Sequence, residues 1–277
     1  MNFNTIFGEI EKADPEVYGR LDTRRKAMKS FAGFTGKLAL SAIPMALGWM
    51  FQKAYAGTKS TNEAVVDVLN YALKLEYLES EFYTRGLQSI GLIPAGAATG
   101  AITTISTHES AHVKFLTDTI TAAFGASKVL AKPLIDLTAK GTFADVLTNY
   151  ATFLAVAQTF EDTGVRAYKG RAAELVKTGP VLTAALNIHS VEARHASHIR
   201  QMRRAAGATV KPWITGRTTG IGTVVDASYA GEDNTTQATI QIVNINGMGI
   251  SADAATEAFD EGLTKDAVLA IVGPFFV

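Results

Sequence analysis

The chain of 277 residues has no cysteine. That absence excludes disulfides, thiolate-ligated metals and iron–sulfur clusters, and it leaves the compartment open. A charge bias is missing too, since 26 basic residues balance 26 acidic ones. A chain with no net charge gives no reason to expect a nucleic-acid partner. Long apolar runs are also absent. The run over residues 38–51 falls short of the roughly 20 residues that a membrane-spanning helix needs. What remains is globular in character, 47% hydrophobic and 19% charged, with apolar material for a sizeable core.

The short apolar run has a context. Arg24-Arg25-Lys26 precede it and Ala54-Tyr55-Ala56 close it. A basic start, a short apolar middle and an Ala-x-Ala end are the parts of a cleaved signal. The paired arginines resemble a twin-arginine export signal, although Ala27 replaces the usual bulky apolar residue and Lys37 interrupts the apolar part. Residues 1–56 are therefore expected to be an export signal, which places the mature protein in the periplasm or another extracytoplasmic space. The competing readings are a buried N-terminal helix of a cytoplasmic protein and an anchor that stays uncleaved. Membrane contact is expected only through this segment, if it is retained.

Two later stretches carry the chemistry. One reads Ile-His-Ser-Val-Glu-Ala-Arg-His-Ala-Ser-His-Ile from Ile188 to Ile199 and holds Glu192 and His195. The other, from Ile105 to Leu116, holds Glu109 and His112. A spacing of three puts both side chains of each pair on one helical face. Two further acids sit alone in apolar stripes. Glu76 lies on a line with Leu69, Leu73, Ser80, Tyr83 and Leu87, and Glu161 on one with Leu154, Ala157, Val165, Tyr168 and Ala172. An acid inside an apolar stripe is costly unless it is paired or bound to metal. The periodicity predicts four helices: Ser60 to about Gln88, about Gly100 to Phe124, about Thr142 to Lys177, and Pro180 to about Ala206. They bring a lone Glu, a Glu-x-x-His, a lone Glu and a Glu-x-x-His in order, which is the ligand set of a dinuclear carboxylate centre in a four-helix bundle.

Taken singly, each motif is weak. One Glu-x-x-His usually marks a solvated face, and a core tyrosine usually packs. The halves of the chain repeat, however. Tyr83 follows Glu76 by seven residues, and Tyr168 follows Glu161 by the same interval. This symmetry favours Glu76 over Glu79 as the first-helix ligand, with Glu79 as the alternative. The expected metal ligands are thus Glu76, Glu109, His112, Glu161, Glu192 and His195. Tyr83 and Tyr168 are candidates to hydrogen-bond a carboxylate on a neighbouring helix and to take part in its chemistry, or merely to fill the core. His189 could support a ligand, while His108 and His198 read as ordinary polar residues.

Residues 61–207 look like a ferritin-like domain. The stretch Leu75-Glu76-Tyr77-Leu78-Glu79-Ser80-Glu81-Phe82-Tyr83 resembles the first-helix motif of a bacterial ferritin-like family related to plant desiccation-related proteins. Lys211-Pro212-Trp213-Ile214-Thr215-Gly216, Tyr229-Ala230-Gly231-Glu232 and Ala258-Phe259-Asp260-Glu261 resemble its C-terminal motifs. The resemblance implies an all-α, ferritin-like four-helix bundle over residues 57–207 and a dinuclear metal centre. Residues 208–277 are expected as an extension that wraps the bundle or mediates a contact. A short strand, or a short strand pair, is read around Thr239–Val243, with helices at Ser251–Glu261 and Thr264–Val272.

Four carboxylates and two imidazoles suit iron or manganese better than copper or zinc, with iron preferred. The expected function is an exported di-metal oxidoreductase acting on dioxygen or peroxide, of ferroxidase, peroxidase or catalase type. Without cysteine the chain has no attached rubredoxin centre, and its tail would hinder a storage cage. A homo-oligomer is compatible with all of this. The alternative is a non-catalytic envelope or desiccation-protection protein whose metal site is structural or vestigial.

Overall fold

The structure, a computed structural model, describes residues 59–277, and side chains from Glu63 onward. The expected export signal, residues 1–56, lies outside the described residues. Four long helices dominate: α1 (Lys59–Gln88), α2 (Ala97–Phe124), α3 (Tyr150–Ala172) and α4 (Pro180–Ala205). Helix α1 packs along α2, and α3 packs along α4. The two hairpins meet through α1 with α3 and α2 with α4, which closes an all-α four-helix bundle. Among the described residues, no helix is long and apolar enough to cross a membrane.

The helix ends follow local chemistry. Gly125, at φ 94, terminates α2, and its N–H bonds to the Thr121 carbonyl. Pro180 occupies the first turn of α4, where its missing N–H costs nothing. Helix α3 is shorter than its periodicity predicts. It begins at Tyr150 rather than near Thr142, because the Asn149 side chain caps it by accepting from the N–H groups of Ala151 and Thr152. Residues 139–141 carry positive φ and cannot be helical. Val146 is buried and Leu147 packs against the core, so an apolar stripe continues through non-helical chain. At the other end a 3₁₀ turn, Ala173–Thr178, replaces the last predicted turns of α3.

The link from α2 to α3 crosses the bundle and is held to α1. The Asn70 side chain donates to the Lys128 carbonyl and accepts from the Leu130 N–H, each at 2.8 Å. Buried side chains form two apolar clusters. One contains Phe82, Phe153 and Phe160; the other contains Leu73, Leu116 and Ile188. A layer of buried acids lies in the same bundle interior.

Beyond α4 the chain is mostly irregular. A minimal antiparallel pair, β1 (Thr236–Gln237) and β2 (Ile240–Gln241), stands where a longer strand was expected. Ala238 and Thr239, both at positive φ, form its two-residue turn, so Thr239 is not in a strand. Two short helices follow, α5 (Ala252–Glu257) and α6 (Lys265–Val272), capped by the side chains of Ser251 and Thr264. The first ends four residues earlier than predicted.

This tail is fastened to α3 and α4 by three buried arginines. Arg166, with no exposed surface, donates to the carbonyls of Ser228, Ala230 and Glu261 and pairs with Glu232 at 2.7 Å. Arg200 binds Asp162, which also accepts from the Tyr229 hydroxyl at 2.6 Å. Arg203 reaches Gln158 and the carbonyl of Gly220. A buried charge left without its partner is strongly destabilising, so these contacts fix the tail firmly. The backbone takes part as well, since the Leu263 N–H bonds to the Arg166 carbonyl at 3.1 Å.

Gly170 permits this approach. A Cβ placed there would sit 1.8 Å from the Leu263 carbonyl oxygen. Gly170→Ala is therefore expected to displace the tail and cost about 1–3 kcal/mol, the range for forced overpacking. Denaturant unfolding and limited proteolysis measure it, with cleavage expected first between residues 208 and 264. An unchanged midpoint and cleavage pattern would show that the tail is not held against α3.

Candidate metal centre

Glu76, Glu109, Glu161 and Glu192 have no solvent exposure at all. Each of the four bundle helices contributes one of them. Four buried carboxylates in one layer repel each other and have lost their water, so something must neutralise them. The two histidines that follow Glu109 and Glu192 by one turn face the same layer. His112 Nδ1 lies 3.2 Å from Glu76 Oε2, 3.3 Å from Glu109 Oε2 and 3.1 Å from Glu192 Oε1. His195 Nδ1 lies 2.8 Å from Glu109 Oε1, 3.4 Å from Glu161 Oε2 and 3.5 Å from Glu192 Oε2.

These atoms fall into two overlapping groups. Glu76, Glu109, His112 and Glu192 each offer a ligand atom within 4.8 Å of the others, and so do Glu109, Glu161, Glu192 and His195. Glu109 and Glu192 belong to both. The structure thus brings all six sequence-predicted ligands together. Both oxygens of Glu192, one oxygen each of Glu109 and Glu161, and His195 Nδ1 are buried without a hydrogen-bond partner among the described residues. The short distances around His195 therefore lack hydrogen-bond geometry, and the lone pairs are free for a cation. Four negative charges with two neutral imidazoles match two divalent ions, and oxygen-rich donors with imidazole fit iron or manganese.

The electrostatics agree. Burial pushes Glu109 well above the usual carboxylate range, and the nearby Glu192 adds to it. Burial likewise lifts Glu161 to about 7, although His195 opposes the shift. Burial would also raise Glu192, but His112 and His195 hold it down at about 2. Burial would depress His195, yet Glu109, Glu161 and Glu192 push it up to about 12. In the metal-free protein, protons do the neutralising. Loading metal must expel them, because carboxylate and imidazole ligands bind deprotonated.

The tyrosines form a reciprocal pair across the bundle. Tyr83 of α1 donates to Glu161 Oε1 of α3, and Tyr168 of α3 donates to Glu76 Oε1 of α1. The seven-residue offset in each half of the sequence produces this exchange. Burial and the adjacent carboxylate both keep each phenol protonated, hence a donor.

Glu79 belongs to neither ligand group. It is buried, and burial followed by repulsion from Glu192 raises it well above its ordinary range. It faces Gly164 of α3, where a Cβ would come within 3.3 Å of its Oε1.

Among the remaining histidines, His108 is the one that supports the site. Its Nδ1 lies 2.9 Å from His195 Nε2, and the rings stack at 5.2 Å. Were His195 to hold a metal through Nδ1, its Nε2–H would donate to His108, which would fix the tautomer and the ring. His189, the one that the sequence offered as able to support a ligand, has its Nδ1 buried without a partner among the described residues, and His198 is exposed. His108 stands one residue before Glu109, off the inner line of α2, so the helical period does not single it out.

A family model of the ferritin-like domain matches residues 64–205, just over half of the chain and nearly the whole span of the four bundle helices. No curated protein and no solved structure matches the chain.

Glu109→Ala and Glu192→Ala are each expected to lower bound metal from about two ions toward one or none, since both residues belong to both groups. Glu76→Ala should lower it more than Glu79→Ala, which should leave it nearly unchanged. Elemental analysis of protein from its native host measures this. The reverse ranking would put Glu79 in the first-helix ligand position.

Proposed function

The chain belongs to the ferritin-like domain family, and on that premise we propose that it is an exported dinuclear carboxylate protein that oxidises its metal with dioxygen or peroxide. The observation that carries this reading is the sharing of Glu109 and Glu192 between two complete four-residue ligand groups. In this reading Glu76 and His112 would complete the ligands of one ion, and Glu161 and His195 those of the other. Two adjacent ions, iron in preference to manganese, supply the paired one-electron changes that these oxidants demand.

The chain's own residues do the rest. Tyr83 and Tyr168 hold the outer carboxylates, Glu161 and Glu76, each through one oxygen, which leaves the other oxygen to face the centre. Two apolar clusters exclude water from the layer. His108 keeps His195 in the ligating tautomer. Residues 1–56 act as the signal, 57–207 as the metal-holding bundle and 208–277 as its brace. Kinship with the desiccation-related branch rests on the first-helix and tail motifs.

Stopped-flow absorbance is the test of reactivity. Fe(II)-loaded protein is expected to oxidise several-fold faster than iron in buffer when mixed with air-saturated buffer or peroxide. Tyr83→Phe and Tyr168→Phe should change the decay of the oxidised species and spare metal content. If iron oxidises no faster than in buffer and neither the iron nor the manganese form consumes peroxide, the protein is instead a non-catalytic protective protein with a structural metal site.

Export has its own test. Replacing Arg24 and Arg25 with lysine is expected to trap a longer precursor in the cytoplasm. A native soluble cytoplasmic pool that begins at Met1 would remove export from this proposal.

A further inference from the structure

The tail helps to form a cleft that the metal centre does not use. The end of α4, the loop over residues 208–218 and α5 bound it, and its volume is about 600 Å³. Arg204, Thr209, Trp213, Thr218 and Asp253 are among the residues that line it. Small-molecule sites occupy roughly 300–1,000 Å³, so there is room for a small ligand or one unit of a polymer.

Trp213 is the unusual member, 51% exposed on a stretch of chain that is otherwise fixed. Its carbonyl accepts from Arg200 at 3.1 Å, and Arg200 is itself bound to buried Asp162. The next residue, Ile214, is buried, and the Gly216 N–H donates to the Thr256 hydroxyl at 3.0 Å. Glu257 of α5 accepts from Lys211 and, at 2.8 Å, from Thr215, and the Trp213 indole also favours its ionised form. A large ring left in water on so rigid a support is preorganised, since little freedom remains to be lost when a ligand arrives.

The charges around the ring select that ligand. Arg200 is cancelled by Asp162, and Lys211 by Glu257. Arg204 and Asp253 remain, and neither charged group has a partner among the described residues. One free cation and one free anion leave the cleft without net charge, so it has no excess of cations to attract a phosphate backbone. What it offers is a fork of N–H donors, two carboxylate acceptors and the hydroxyls of Thr209 and Thr218. The complement is a neutral molecule with many hydroxyls and one apolar face. A pyranose whose hydroxyls are equatorial has that form, because its axial C–H groups make a weakly positive face that suits the negative face of an indole. A peptide anchor, by contrast, seeks a well-packed and fully desolvated pocket.

We infer that this cleft binds a neutral glycan built of glucose or N-acetylglucosamine units, with one ring stacked on Trp213 and its hydroxyls shared between Arg204 and Asp253. Binding needs neither metal nor redox chemistry, so it stands or falls independently of the function proposed above.

The full chain contains two tryptophans, and Trp49→Phe leaves Trp213 as the sole reporter. Titration with cellohexaose, maltohexaose and chitohexaose is expected to give, with at least one of them, a saturable change in Trp213 emission and several-fold weaker quenching by acrylamide. Calorimetry then reads the variants. Trp213→Ala should abolish binding. Arg204→Gln and Asp253→Asn, at exposed positions, should each weaken it several-fold, and they decide the matter if Trp213→Ala fails to fold. No response to any of the three sugars would overturn the site. So would binding that survives Trp213→Ala, or that neither exposed variant weakens. A response to hexaproline or oligothymidylate and to none of the sugars would overturn it as well, and would give the cleft a peptide or a nucleic acid instead.

Discussion

The structure turns on the charge of one layer. Glu76, Glu109, Glu161 and Glu192 are wholly removed from water, and no arginine or lysine is paired with them among the described residues. Burying isolated carboxylates costs far more than apolar packing around them returns. Only two compensations are available. Protons can neutralise the layer, with the imidazoles charged and Glu109 and Glu161 raised, or cations can replace those protons. The positions of His112 and His195, each within 3.5 Å of three carboxylates, serve both states. The same geometry forms two overlapping groups that could hold a metal ion.

This requirement accounts for the twofold character of the bundle. Each hairpin supplies one lone glutamate and one Glu-x-x-His, and each lends a tyrosine to the other's lone glutamate. Helices α1 and α3 thus carry matching duties across the core, and a change in either is felt on the opposite hairpin. The two apolar clusters keep the layer dry, which strengthens every electrostatic interaction inside it.

Much of this was legible in the sequence because helical period and ligand spacing express the same geometry. Glu109 with His112, and Glu192 with His195, announce their face directly. The offset of seven residues marked Tyr83 and Tyr168 as partners of something on another helix, and the structure places each on a carboxylate. Other features were not legible, for physical reasons. His108 lies off the inner line of α2, yet the approach of α4 brings His195 to it; no one-helix pattern encodes that approach. The start of α3 was misplaced because Val146 and Leu147 continue an apolar stripe through chain that Gly141 and the Asn149 cap prevent from being helical. The strand near Thr239 was overestimated because alternation resembles a strand even where two positive-φ residues make a turn.

The most instructive gap concerns α3. From Phe153 to Tyr168 nearly every residue is buried, on all faces of the helix. A helix buried on every side is ordinarily apolar throughout. This one instead carries Gln158, Glu161, Asp162 and Arg166, none more than 2% exposed. The conflict resolves when its surroundings are divided. Glu161 looks inward to the ligand layer, whereas Gln158, Asp162 and Arg166 are satisfied by Tyr229, Arg200, Arg203, Glu232 and carbonyls of the tail. Read as a bundle helix, α3 has a polar outer face that should be wet; read with residues 208–277 in place, that face is a second buried polar interior whose groups are mostly satisfied by protein partners, with Glu232 Oε2 and Thr163 Oγ1 left unpaired among the described residues. The tail is therefore part of the bundle's interior in the energetic sense. By holding Asp162 and Arg166 on either side of Gly164, it also fixes the stretch of helix from which Glu161 reaches the centre, so the ligand layer and the tail stiffen one another through α3.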